Sequence, residues 1–351
     1  MMAMRNGRRS RTTRSLFSLF TILLAPSLLY AQGQSGSQPR SSASESSARR
    51  QAIVMTEPII LETPTGKLFG ALELPKSQAP LPVTLIIAGS GPTDRNGNTR
   101  GIPGANNSLK YLAEGLAAQG VASVRYDKRG VAESIKAAAS ESDLRFETYI
   151  DDAVLWGKQL RADKRFSSVI IIGHSEGSLI GIVAAQKMEA DAFISIAGAG
   201  RPAPQALLDQ LKGKLPADLQ SKAEMIIKSL SEGKIVEDVP PALSGALFRR
   251  SVQPYLISYF KYDPSKEIAK LSIPVLIAQG TTDMQVPAQD AKLLAQAKPS
   301  AGLLMIEGMN HVLKEVLAEQ EKQIKSYTDP SLPVAPKLIE GINSFIKAIK
   351  K

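Results

Sequence analysis

Apolar segments of strand length recur along this chain with helical periodicity between them, and that alternation leaves few architectures open. The strand candidates are Val83–Ala88, Val121–Tyr126, Val169–Gly173, Ala192–Ala197, Pro274–Gln279 and Leu303–Glu307. They are short, rich in β-branched residues, and bounded by glycine, proline or polar residues. Between them, Leu109, Leu112 and Leu116 mark one apolar helical face, and Tyr149, Ala153, Leu155, Trp156 and Leu160 mark another. Trp156 is most simply a core residue. Strands that are apolar on both faces and separated by helices predict an α/β fold, a mostly parallel sheet covered on both sides. Ligands of such sheets sit at the carboxyl ends of the strands. Upstream, "PIILET" and "KLFGALEL" predict a hairpin, and no internal repeat is visible.

With 351 residues, 43% hydrophobic and 22% charged, the chain has ample material for a core. Its formal charge of +10 is concentrated at the start: Arg5, Arg8, Arg9, Arg11 and Arg14 stand in the first 31 residues, which hold no acid. Setting those five aside leaves an excess of five basic over 33 acidic residues, spread thinly, with no basic stripe interleaved with aromatics. Nucleic acid is therefore not an expected partner. The five arginines precede "SLFSLFTILLAPSLLY" and then "AQG", the layout of a secretion signal over residues 1–31, cleaved after Ala31. The apolar run is short for a membrane span and contains Pro26, so a retained anchor is not expected. Residues 32–52 are a serine-rich polar tether, and the folded domain is expected over 53–351, in the periplasm or outside the cell. The chain has no cysteine and two histidines, which excludes disulfides and thiolate metal sites and makes a metal or other cofactor unexpected.

The strongest chemical signal is "VIIIGHSEGSLIG", residues 169–181. A strand, Gly173-His174-Ser175-Glu176-Gly177 and a helix form the Gly-x-Ser-x-Gly nucleophile elbow in its required context. The glycines allow strand and helix to pack around a tight turn that forces Ser175 outward. A serine hydroxyl needs a base, and His174, adjacent to Ser175, is expected to point away and pack. His311, in "MIEGMNHVL" after the last strand, is where the base of such a fold belongs. Its second ring nitrogen needs an acceptor: Asp283, after the preceding strand, or Asp290, in the following helix, with Asp283 favoured. The order Ser175, Asp283, His311 is that of α/β-hydrolases. Haloalkane or epoxide chemistry would need an aspartate at position 175.

Residues 54–351 resemble bacterial α/β-hydrolases of the esterase and serine aminopeptidase-like group, through "AGSGPTDRNGN", "RYDKRGVAES", "GHSEG", "GTTDMQV" and "GMNH" in register. The resemblance implies Ser175 as nucleophile, His311 as base and Asp283 as its orienter. "YDKRG", residues 126–130, looks like the family's structural turn, so Asp127 is not assigned to catalysis. In this fold the glycine loop after Val83–Ala88 lies beside the elbow, where an acyl-transfer site needs two backbone N–H donors. Glu176 supplies one and Ser90 the other, with Gly91 as the second choice; Pro92 has no N–H. Asp94 and Arg95 are expected to form an ion pair at the rim, with contact to the substrate as the alternative. The expected reaction is hydrolysis of a small-molecule carboxylic ester through an acyl-enzyme. Short peptides are the alternative substrate, and a binding protein on an inactive scaffold is the alternative of another class.

About 75 residues separate Ala197 from Pro274, far more than the dozen or so a crossover needs. The excess predicts a helical cap insertion over 201–265. Its first half has helical spacing broken by Pro216; its second half places Phe248, Tyr255, Tyr259, Phe260 and Tyr262, five of the chain's 18 aromatics, within 15 residues. They either pack the cap onto the body or line an apolar pocket, in which case Tyr255 or Tyr259 faces the substrate.

Overall fold

The computed structural model describes residues 54–349. The expected secretion signal, 1–31, and the expected tether, 32–52, lie outside the described residues. Strands β1 (Val54–Thr63) and β2 (Gly66–Pro75) form the antiparallel hairpin. They lead into β3 (Leu81–Ile87), β4 (Ala122–Tyr126), β5 (Phe166–His174), β6 (Ala192–Ile196), β7 (Val275–Gly280) and β8 (Gly302–Ile306). The eight strands form one sheet in the order β1-β2-β4-β3-β5-β6-β7-β8, antiparallel across β1, β2 and β4 and parallel elsewhere. Thus β3 lies between β4 and β5, and the chain leaves it toward one side and returns on the other. That reversal opens a crevice at the carboxyl ends of β3 and β5.

The sheet separates two cores because successive side chains of a strand point to opposite faces. Val83, Leu85, Ile87, Val169 and Ile171 face helices α2 (Phe146–Ala162), α3 (Glu176–Lys187) and α9 (Ala288–Ala297). Ile86, Ile170 and Ile172 face α1 (Ser108–Ala118) and α10 (Pro336–Ala348) on the other side. Both sets are buried, which is why these strands read as nearly continuous apolar runs, with Thr84 the interruption in β3. Each such side chain contributes about 1.5–3 kcal/mol relative to exposure. Trp156 is fully buried, but Leu155, expected on the same helical face, is exposed. It stands about 200° around the helix from Ala153, so it cannot share the face of residues 149, 153, 156 and 160.

Between β6 and β7 come α4 (Ala203–Leu211), α5 (Ala217–Ser231), the single turn α6 (Pro241–Leu243), α7 (Gln253–Tyr259) and α8 (Pro264–Ala269). Pro216 is the N-cap of α5 and lies in the connection after α4, which already ends at Leu211. Helix α7 packs on α2: Phe146 stacks on Tyr259 with centroids 4.6 Å apart, Tyr149 meets Tyr255 edge-on at 5.8 Å, and the Phe146 N–H donates to Ser258 Oγ at 2.8 Å. The aromatic segment therefore does anchor these helices to the body. No helix of the described residues is long and apolar enough to cross a membrane.

Candidate active site

Strand β5 ends at His174 and α3 begins at Glu176, leaving Ser175 alone in the turn with φ 56° and ψ −122°. A non-glycine residue in that region costs on the order of 1–3 kcal/mol, so the surroundings must impose it. The flanking glycines do so through closeness. A Cβ at position 173 would stand 2.2 Å from the Gly177 carbonyl oxygen, and one at 177 would stand 2.3 Å from that of Ile87. The Ser175 N–H donates to Ile196 O at 2.9 Å, tying the turn to β6. The residue stays half-buried, its side chain opening into a cavity of about 580 Å³.

His311 lies in the loop after β8 and lines the same cavity. Its Nδ1 stands 2.8 Å from Asp283 Oδ2. The Asp283 side chain is fully buried in the loop after β7. Its Oδ1 accepts the Gln285 and Val286 N–H groups at 2.8 and 2.9 Å, and Gln279 Nε2 donates to Oδ2 at 3.2 Å. Burial alone would raise this carboxyl; the His311 charge and these donated hydrogen bonds outweigh it and hold the pKa below the ordinary value. A carboxylate there accepts from Nδ1–H, which leaves Nε2 as the basic nitrogen. Asp290, the other acid weighed for this role, instead takes the Gly200 N–H at 2.9 Å and the Arg201 guanidinium at 2.8 and 3.0 Å.

His174 does not turn away, contrary to the sequence-based expectation. Its ring lies 4.9 Å from that of His311, and its Nε2 donates to the His311 carbonyl oxygen at 2.8 Å, which braces the loop that carries His311. Burial, then the neighbouring His311, lowers its pKa to about 3, so it is neutral.

The glycine loop after β3 presses on the elbow. A Cβ at Gly89 would lie 3.1 Å from Ser175 Cβ. Gly89 and Ser90 line the cavity, whereas Gly91, with φ 71°, turns the chain away and is not on the wall. Thr93 Oγ1 donates to Ser90 O at 2.9 Å, and Asp94 Oδ1 accepts the N–H groups of Asn96 and Asn98 at 2.8 and 2.9 Å. The expected Asp94–Arg95 ion pair does not form. Asp94 is consumed by its own turn, and Arg95 reaches to Asp127 at 2.8 Å and to Glu133. Buried Asp127 also accepts the Arg95 N–H at 2.7 Å, so it fastens the glycine loop to the "YDKRG" turn.

Sequence reasoning missed a buried cluster directly behind the elbow. The Lys128 ammonium donates to Gly89 O and stands 3.3 Å from Glu176 Oε2, while the Tyr255 hydroxyl donates to Glu176 Oε1 at 2.6 Å. Burial pushes the Lys128 pKa down, opposed by Glu176. Nothing in "YDKRG" signals that its lysine is buried. Of the two tyrosines expected at the pocket, Tyr259 lies on the wall, and Tyr255 is not part of it. Other walls come from α4 through Leu207 and Gln210, from Met284 to Val286, and from the loop 99–104.

Sheet order, crevice and strained serine turn together define an α/β-hydrolase. Within that superfamily, the chain belongs to the family described as serine aminopeptidase, S33, whose sequence model matches residues 101–321. It is 28% identical over 251 residues to Esterase EstD of Thermotoga maritima, covering 70% of this chain and 58% of EstD. The chain thus spans somewhat over half the length of that relative. Est1E from Butyrivibrio proteoclasticus, solved with ferulic acid bound, superposes with a TM-score of 0.54 at 17% identity, over 82% of this chain and 98% of Est1E. The esterase domain of a Rhodothermus marinus protein superposes with a TM-score of 0.50 at 16% identity, over 84% of this chain and 98% of the domain. At such identity these two show the shared fold.

Proposed function

We propose that the protein is a serine carboxylesterase working through an acyl-enzyme. One observation carries the reading: His311, oriented by a buried Asp283 at 2.8 Å, shares a cavity with a serine held in a strained elbow. Ser175 Oγ attacks the ester carbonyl carbon as His311 Nε2 takes its proton. The tetrahedral oxyanion is held by the N–H groups of Glu176 and Ser90, and Asp283 stabilises the imidazolium. The imidazolium then protonates the departing alcohol, and water repeats the sequence on the acyl-enzyme with His311 as base. The kinship with EstD supports ester substrates, while the family description supports a second reading, peptide substrates with the same triad. Ser175→Ala and His311→Ala are each expected to lower 4-nitrophenyl acetate hydrolysis at least about 10³-fold with an unchanged circular dichroism spectrum. Near-normal turnover in Ser175→Ala overturns the proposal, and preferential cleavage of aminoacyl anilides would select the peptidase.

A further inference from the structure

The charges on the cavity wall are unequally committed. Two carboxylates stand there, Glu176 and Asp290, and both are buried and engaged. Glu176 is held by the Tyr255 hydroxyl and Lys128. Asp290 is held by the Gly200 and Arg201 N–H groups and by the Arg201 guanidinium, which also pairs with Asp209. Neither acid is exposed to receive a substrate ammonium.

The cations are different. Arg100, on the loop after the glycine turn, and Lys214, in the connection between α4 and α5, both line the cavity and both are exposed. Among the described residues, neither side chain has an ion pair or hydrogen bond. One comes from the body and the other from the helices over it, so two uncompensated positive charges face the same space from different walls. Apart from these charges and Arg201, which is paired with Asp290 and Asp209, the lining is apolar or neutral, including Leu207, Tyr259 and Val312.

We propose that this site selects esters that carry a carboxylate, in the acyl or the alcohol part, and disfavours substrates with a free α-ammonium. The proposal rests on the esterase reading above and names its substrate class. Two partly exposed charge pairs correspond to a preference on the order of tenfold, reduced as salt screens them over about 8–10 Å.

The test compares kcat/KM for matched substrates at low salt, with Ser175→Ala subtracted as background. Mono-4-nitrophenyl glutarate against 4-nitrophenyl pentanoate places the carboxylate in the acyl part; 4-carboxyphenyl acetate against 4-carbamoylphenyl acetate places it in the alcohol part. At least one carboxylate ester is expected to lead its neutral partner by about tenfold. That ratio is expected to fall toward one in 0.5 M NaCl, where the Debye length shortens to about 4 Å, and in Arg100→Gln/Lys214→Gln. Glutarate itself is expected to raise the thermal midpoint of the wild type more than that of the double variant. Neutral esters cleaved as well as both carboxylate esters, a ratio that survives the double substitution, or a better kcat/KM on alanyl 4-nitroanilide each overturn the proposal. Loss of all Ser175-dependent turnover would instead overturn the esterase reading, and the glutarate shift then decides the charge claim separately.

Discussion

Replacing Lys128 by methionine tests the cluster behind the elbow. The Lys128 and Glu176 side chains are 2% and 5% exposed and 3.3 Å apart. At an effective dielectric of 20 their attraction is about 5 kcal/mol, and breaking a buried pair by removing one partner costs about 3–5 kcal/mol. Methionine has a similar length, so the change removes charge with little volume and leaves Glu176 with only Tyr255. Lys128→Met is therefore expected to lose about 3–5 kcal/mol. Lys128→Met/Glu176→Leu is expected to recover only part of that loss, since an apolar pair can replace a buried ionic one at little cost but leaves the buried Tyr255 hydroxyl without its acceptor. Trp156, the chain's single tryptophan and fully buried, reports unfolding in urea by fluorescence. Lys128 also holds the Gly89 carbonyl, so both variants should let the glycine loop drift and lower kcat about tenfold, short of the 10²–10³ lost with a whole oxyanion donor. A Lys128→Met protein within about 1 kcal/mol of the parent, with unchanged kcat, would refute the reasoning.

The buried neutral His174 makes acid stability another readout. Its folded pKa of about 3 lies below the unfolded value near 6.5, so the unfolded state binds the extra proton and stability falls as pH drops from about 6.5 toward 3. Between pH 6.5 and 4.5 this amounts to about 2–3 kcal/mol. Asp283, with its lowered pKa, adds its loss only at lower pH, as its carboxylate is protonated in the folded state. Urea midpoints of His174→Gln should vary less with pH in that window, and equal slopes would count against the assignment. Tyr259→Ala is expected to shift the ratio of longer to shorter acyl esters cleaved, whereas Tyr255→Phe should keep that ratio and lose about 1.5–3 kcal/mol through its missing bond to Glu176. Matching chain-length profiles in Tyr259→Ala and the parent would remove Tyr259 from the pocket.

What the sequence by itself determined is what short-range periodicity and local sterics encode. Runs such as Val169–Ile172, apolar at every position, and Val83–Ile87, interrupted only by the buried Thr84, fit strands buried on both faces, and the alternation with helices then leads to a parallel sheet. Gly173 and Gly177 flanking Ser175 carry the elbow, because no side chain fits at either glycine. Its place at the end of a strand favoured Asp283 over Asp290 in the following helix, but only the tertiary structure decided it, by placing Asp283 at 2.8 Å from His311 and Asp290 against Arg201. The same holds for Arg95 pairing with Asp127 and Glu133, His174 bracing His311, and Lys128, Glu176 and Tyr255 meeting from three separate elements. These partners are tens of residues apart or more, and long side chains can reach several neighbours from one backbone position. Their pairing follows from which groups packing strips of water together, and a buried charge must then take the partner that packing leaves within reach.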